Sequence, residues 1–253
     1  MKTIFLPKEK VHVGNLILVN REYGYEEKSE DMLMPVQNEF PRIIMRRRAA
    51  VLLASIMGKI HGWQDIVPVS GFRSLKEQQE IWDDSLKNNG REFTEKYVAY
   101  PGHSEHQTGL AIDLGLKQEV IDFIRPDFPY TGICQAFRDK AWEYGFVERY
   151  PKEKERVTGI GHEPWHFRYV GIPHAAIMAE KNLVLEEYIS FIRQFPYGQS
   201  AYCYRGGGRD IQVSYLEASA GNTSLTIDAF LPYSVSGDNV KGFIITQWRD
   251  VNE

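Results

Sequence analysis

The stretch Ser104-Glu105-His106-Gln107-Thr108-Gly109-Leu110-Ala111-Ile112-Asp113, continued by Leu114-Gly115-Leu116, sets a single acid inside an apolar run. Leu110 to Leu116 reads as a buried strand. A carboxylate inside such a strand is costly unless a metal or a cation neutralises it. His106 lies seven positions before Asp113, an odd offset that puts the two on opposite faces of one continuous strand. Both reach one ion only if His106 sits in the loop entering the strand, and Gly102, Thr108 and Gly109 are suited to a loop there. The competing reading is a satisfied core histidine beside an unrelated acid.

Fifty residues beyond Asp113, His162-Glu163-Pro164-Trp165-His166 matches the letters of the H-E-x-x-H zinc motif. That motif needs a helix, so that both histidines share a face. Here Gly159 and Gly161 precede it and Pro164 interrupts it, and an interior proline costs a helix about 3 kcal/mol. Trp165 to Val170 is aromatic and β-branched, which predicts a strand. In an extended segment His166 and Glu163 remain the useful pair: His166 ligates from the strand, Glu163 in the preceding turn serves as general base, and His162 is a neighbour. Two imidazoles and one carboxylate leave a coordination position open for water, the composition of a hydrolytic zinc site.

Working outward, residues 1 to 40 read as an irregular arm with a short strand at Leu16–Val19. Helical spacing of apolar residues predicts a core helix from Pro41 to Gly58, with Arg46-Arg47-Arg48 on its wet face. Ile66–Ser70 reads as a strand. Ser74 and Glu77 form a capping box that opens a helix running to Lys87 and stopping at Asn88-Asn89-Gly90, so Arg73 sits at a strand-to-helix junction. Further helices are expected over Ile133–Tyr144 and Pro173–Phe195. After Pro196 short strand-like runs at Cys203–Arg205, Ile211–Leu216, Leu225–Phe230 and Gly242–Thr246 alternate with turn signals at Gly206-Gly207-Gly208, Gly221-Asn222 and 236–239. The expected division is residues 1–195 as the catalytic domain, with the arm, and 196–253 as a small β appendage.

At 253 residues the chain can bury a full core, and a net charge of −4 gives no footprint for nucleic acid or an anionic membrane. The first ten residues offer an apolar run of only three before Pro7, too short for a signal peptide or a membrane span. The expected address is cytoplasmic. Cys134 and Cys203 are far apart and lack metal or redox spacing, so both read as buried free thiols.

Jointly, the S-x-H-x-x-G-x-A-x-D segment, the E-x-W-H segment and Ser70-Gly71-Phe72-Arg73-Ser74 resemble the zinc D-alanyl-D-alanine peptidases of the VanY and VanXY type. The similarity is greatest to the soluble bifunctional VanXY enzymes of VanG-type glycopeptide resistance, and it spans Val67 to Tyr169. The resemblance implies an α+β fold, an antiparallel sheet with flanking helices of the hedgehog/D,D-peptidase-like kind. It implies one Zn2+ per chain held by His106, Asp113 and His166, with Glu163 as catalytic base and Arg73 stabilising the oxyanion. Ser104, Gln78 and the Tyr97-Val98-Ala99 stretch would hold the substrate, a small peptide ending in D-Ala, and Trp165 would pack against the site. Two alternatives stand beside D,D-peptidase action: an L,D-carboxypeptidase acting on peptidoglycan tetrapeptide, and a zinc-fold domain that binds without hydrolysis. The appendage is the candidate surface for homo-oligomerisation.

Overall fold

Local propensity accounts for most of the elements in a computed structural model of the chain, which describes residues 1–26 and 32–250. In chain order these begin with β1 (Lys2–Leu6), β2 (Leu33–Pro35), β3 (Ile44–Arg46), α1 (Arg47–Ile60), β4 (Ile66–Ser70), α2 (Leu75–Asn89) and α3 (Arg91–Tyr97). Next come β5 (Ala111–Leu116), α4 (Gly132–Ala141), β6 (Phe146–Tyr150), α5 (Glu155–Thr158), β7 (Glu163–Tyr169), α6 (His174–Lys181) and α7 (Leu185–Ile192). Five strands close the chain: β8 (Tyr202–Gly206), β9 (Arg209–Glu217), β10 (Thr223–Ile227), β11 (Tyr233–Gly237) and β12 (Gly242–Asp250). The architecture is the expected α+β arrangement of antiparallel sheets and helices.

Residues 19–184 form one compact unit. Its sheet has strand order β4-β5-β7-β6, every pair antiparallel. Helix α1 buries Ala49, Ala50, Leu53, Ile56 and Met57, an apolar stripe at helical period, in a core shared with Ile112 and Leu114 of β5 and Phe167 of β7. Phe137 of α4 meets Phe167 edge-on at 4.8 Å between centroids, a favoured aromatic geometry. The capping box of α2 is complete, Ser74 Oγ accepting from Glu77 N–H and Glu77 from Ser74 N–H.

Residues 1–18 and 185–253 form the second unit. Its four-stranded antiparallel sheet runs β11-β12-β9-β8, and β1 pairs with β10 in a separate two-stranded sheet. Val11, Leu225, Ile227, Phe243 and Ile245 make its core. Asp238 organises it: one carboxylate oxygen accepts the N–H groups of Val240, Lys241 and Gly242, and the other accepts from Arg193 and Tyr215.

Several expectations are corrected. Leu16–Val19 is buried but not a strand. The helix expected from Pro41 starts at Arg47, because Ile44–Arg46 pairs with Leu33–Pro35 instead. Arg46 therefore lies buried in a strand, its Nε donating to the Thr108 carbonyl, not on a wet face. The single helix expected from Pro173 to Phe195 is broken into α6 and α7 at Asn182, whose φ of 51° is left-handed. A strand occupies Tyr233–Gly237, where turn signals mask it, while the strand from Thr223 stops at Ile227. Cys134 is buried, whereas Cys203 is exposed. The compact units change at 18/19 and at 184/185, so residues 1–18 of the arm belong to the same unit as residues 185–253.

Candidate metal centre

Strand register explains why residues distant in sequence meet. Asp113 of β5 pairs directly with His166 of β7 and, on its other side, with Ser70 of β4. Directly paired residues point to the same face, so Ser70, Asp113 and His166 form a row across three strands. His106 joins them from a 3-10 turn over Glu105–Thr108 that ends at Gly109 with φ 68°. The odd offset from Asp113 is thus resolved by a loop entering the strand.

Glu163 and His166 are three apart and would alternate on a regular strand. The β6–β7 register shifts between Glu148 and Tyr150, and Glu163 Oε2 comes within 3.8 Å of His166 Nδ1. Glu163 is the first residue of β7 and not part of a preceding turn.

One potential ligand atom each from His106, Asp113 and His166 lies within 4.8 Å of the others, and all three residues are buried. His106 Nδ1 sits 2.7 Å from the Gly71 carbonyl oxygen, so that nitrogen carries the proton and Nε2 presents a lone pair. That lone pair faces Asp113 Oδ2 at 3.1 Å. Burial, followed by the Arg73 charge, holds His106 down to about 4, against the opposing pull of Asp113, so the ring is neutral at pH 7. Arg73 Nη2 lies 2.7 Å from the same Asp113 oxygen, and the neutral imidazole nitrogen and the carboxylate beside it can each offer a ligand atom to a metal ion. The donor set of two nitrogens and a carboxylate fits Zn2+.

The surrounding charges are coupled. Burial lifts Glu163 to about 8, aided by Asp113 and Glu105 and opposed by His166 and Arg73. Burial works against the charged form of His166, but its hydrogen bonds to Asp113 and Glu105 prevail and raise it to about 9. Arg73 reaches in from the β4–α2 junction: Nη2 donates to Asp113 at 2.7 Å, Nε to Ser70 Oγ at 2.7 Å and Nη1 to Gln78 Oε1 at 3.3 Å.

The cleft above this row is lined by Arg73, Tyr97, Val98, Ala99, Ser104, Glu163 and Trp165 together with the three candidate ligands. Gln78 stands one layer back, fully buried, its Nε2 donating to the Ala99 carbonyl and so tying that stretch to Arg73. Ser104 accepts from His106 N–H through its hydroxyl. His162 is turned away from the cleft; its Nε2 bonds Tyr130 Oη at 2.7 Å, and that hydroxyl donates to Glu148.

Sequence reasoning missed Ile81, Phe123, Ile124, Tyr150 and Ile160 in the cleft wall, and Glu105 beneath it. Only Glu105 carried a signal, as an acid adjoining a candidate ligand.

The chain is similar to several known proteins. Residues 46–172 match the family model described as VanY, D-alanyl-D-alanine carboxypeptidase. The chain is 48% identical over 132 residues to the bifunctional D-Ala-D-Ala dipeptidase and D-Ala-D-Ala carboxypeptidase VanXYC of Enterococcus gallinarum, covering 52% of this chain and 70% of that one. It matches the crystal structure of the vancomycin-resistance D,D-dipeptidase VanXYg, in complex with a D-Ala-D-Ala phosphinate analogue, with TM-score 0.96 at 51% identity over 98% and 99% of the two chains. A mutant of the D,D-pentapeptidase VanY from a VanB-type resistance cassette, solved with Zn(II), matches at TM-score 0.56 and 30% identity over 69% of this chain and 98% of that one.

Proposed function

The chain belongs to the VanY family of D-alanyl-D-alanine carboxypeptidases, and from that membership we propose that it hydrolyses the bond between two D-alanines. Its substrates on this reading are the free dipeptide and the C-terminus of peptidoglycan precursors, and the consequence is vancomycin-type glycopeptide resistance. The observation that carries the proposal is the convergence of His106, Asp113, His166, Glu163 and Arg73 on one cleft, in a chain 51% identical over nearly its full length to a D,D-dipeptidase.

His106 Nε2, Asp113 and His166 Nδ1 would hold one Zn2+, which when bound supplies a Lewis acid and an acidified water. Glu163 is the proton carrier: buried at the start of β7, with Oε2 3.8 Å from His166 Nδ1, it accepts a proton as general base and delivers it to the departing D-Ala amine. Arg73 brings a fixed positive charge to the same wall, where it stabilises negative charge developing on the scissile carbonyl oxygen. Ser104, the Tyr97-Val98-Ala99 stretch and Trp165 hold the short substrate, and Gln78 acts through Ala99 and Arg73.

Among the described residues, no helix is long and apolar enough to cross a membrane. Cytosolic action belongs to the same proposal, since free dipeptide and unexported precursors are met there, and cell fractionation checks it.

Parallel assays on D-Ala-D-Ala, on a pentapeptide ending in D-Ala-D-Ala and on L-Lys-D-Ala test the reading. Release of D-Ala from the first two supports it. Release from L-Lys-D-Ala alone points to L,D-carboxypeptidase action instead, and release from none contradicts hydrolysis.

A further inference from the structure

Beneath the candidate metal centre lies a charged group that the reaction does not require. Glu105, Arg149 and Arg168 each have fully buried side chains. Both arginines converge on one oxygen: Arg149 Nε donates to Glu105 Oε1 at 2.9 Å, and Arg168 Nη1 lies 2.8 Å from the same atom. The second oxygen, Oε2, is left facing His166 Nε2 at 3.5 Å. The opposite ring nitrogen, Nδ1, points to Asp113 and Glu163. Tyr150 flanks the imidazole, its ring centroid 4.9 Å away.

Burying three ionic side chains is costly, and apolar residues of similar volume often serve stability as well or better. Retention of such a group beside a candidate ligand calls for a role. His106 has its outer nitrogen fixed by a backbone carbonyl, at Gly71. His166 has the Glu105 carboxylate in the equivalent place. A ligating imidazole whose outer N–H is held by a carboxylate has its tautomer and orientation fixed.

We propose that Glu105 is a positioning residue: clamped by Arg149 and Arg168, it takes the Nε2–H of His166 and thereby commits Nδ1 to the metal. The two arginines keep Glu105 an acceptor with a fixed direction, so the ring is aimed before metal arrives. The inference rests on the zinc reading above. A wild-type protein that binds no zinc defeats that reading, whereas one that binds zinc through the other nitrogen of His166 defeats only this one.

The first test needs no substitution. Nitrogen-15 NMR of the zinc-loaded wild type should show His166 protonated at Nε2 and coordinated through Nδ1; coordination through Nε2 overturns the proposal. A second test measures zinc affinity by chelator competition in E105Q, expected to weaken about 10–100-fold, and unchanged affinity in the folded variant counts against the role. Should E105Q fail to fold, Glu105→Leu combined with Arg149→Met and Arg168→Met removes the unpaired charges together. Weakened zinc binding in that folded triple variant supports positioning, and wild-type affinity reduces the cluster to packing.

Discussion

At the scale of single residues, the proposed chemistry rests on Glu163 and Arg73. Replacing Glu163 with Gln should lower D-Ala-D-Ala turnover by about 10²–10⁴-fold while zinc content stays at the wild-type level. Undiminished turnover would remove Glu163 as the base. The same variant has a stability signature in metal-free protein. A carboxyl raised from its ordinary 4.5 to about 8 binds its proton more tightly folded than unfolded. Its contribution is fully present below 4.5 and is lost as pH rises through 8. Metal-free E163Q should therefore gain stability over wild type at pH 9 relative to pH 4, as read by denaturant midpoints at both values. Arg73→Ala should cost about 10²–10³-fold in kcat with zinc retained; an effect on KM alone would recast Arg73 as a binding group.

At the scale of elements, the meeting of the candidate ligands depends on how β4, β5 and β7 pair. Gly71 closes β4, and a Cβ there would fall on the Ile44 carbonyl oxygen, which already accepts from Phe72 N–H at 2.7 Å. Gly71→Ala should cost about 1–3 kcal/mol through overpacking and weaken zinc binding, because the Gly71 carbonyl anchors His106. Calorimetry alongside metal analysis checks both effects, and an unshifted melting temperature would show that the strand end yields freely. The elements near the site were largely legible: the apolar run around Asp113, the capping box at Ser74 and the proline inside the false helical motif each act through local physics. What stayed hidden depends on partners distant in sequence. Ile44-Met45-Arg46 becomes a strand only because Leu33–Pro35 lies beside it, and Glu163 reaches the site only through a register shift that no spacing reveals. The cleft-wall residues Phe123, Tyr150 and Ile160 are ordinary hydrophobics in sequence, marked only by the fold that gathers them.

At the scale of the whole molecule, the unit of residues 19–184 contains every residue of the candidate site. We propose that this unit is the functional one and the second a packing or association module; truncation within β12 followed by sedimentation analysis reads any change in oligomeric state separately from activity. His174, buried at the start of α6, sets part of the pH dependence of stability. Burial depresses it from 6.5 to about 3, so the unfolded chain binds a proton that the folded chain refuses. Stability from this residue is present above 6.5 and declines as pH falls toward 3. His174→Leu should flatten that acid limb, and an unchanged slope would show that other groups set it. The central claim, hydrolysis at a zinc site of His106, Asp113 and His166, is tested most directly by stripping the protein with a chelator and titrating Zn2+ back while following D-Ala release from D-Ala-D-Ala. Activity lost on stripping and restored to a plateau at one equivalent per chain is the predicted result. Full turnover in the stripped protein would contradict the account.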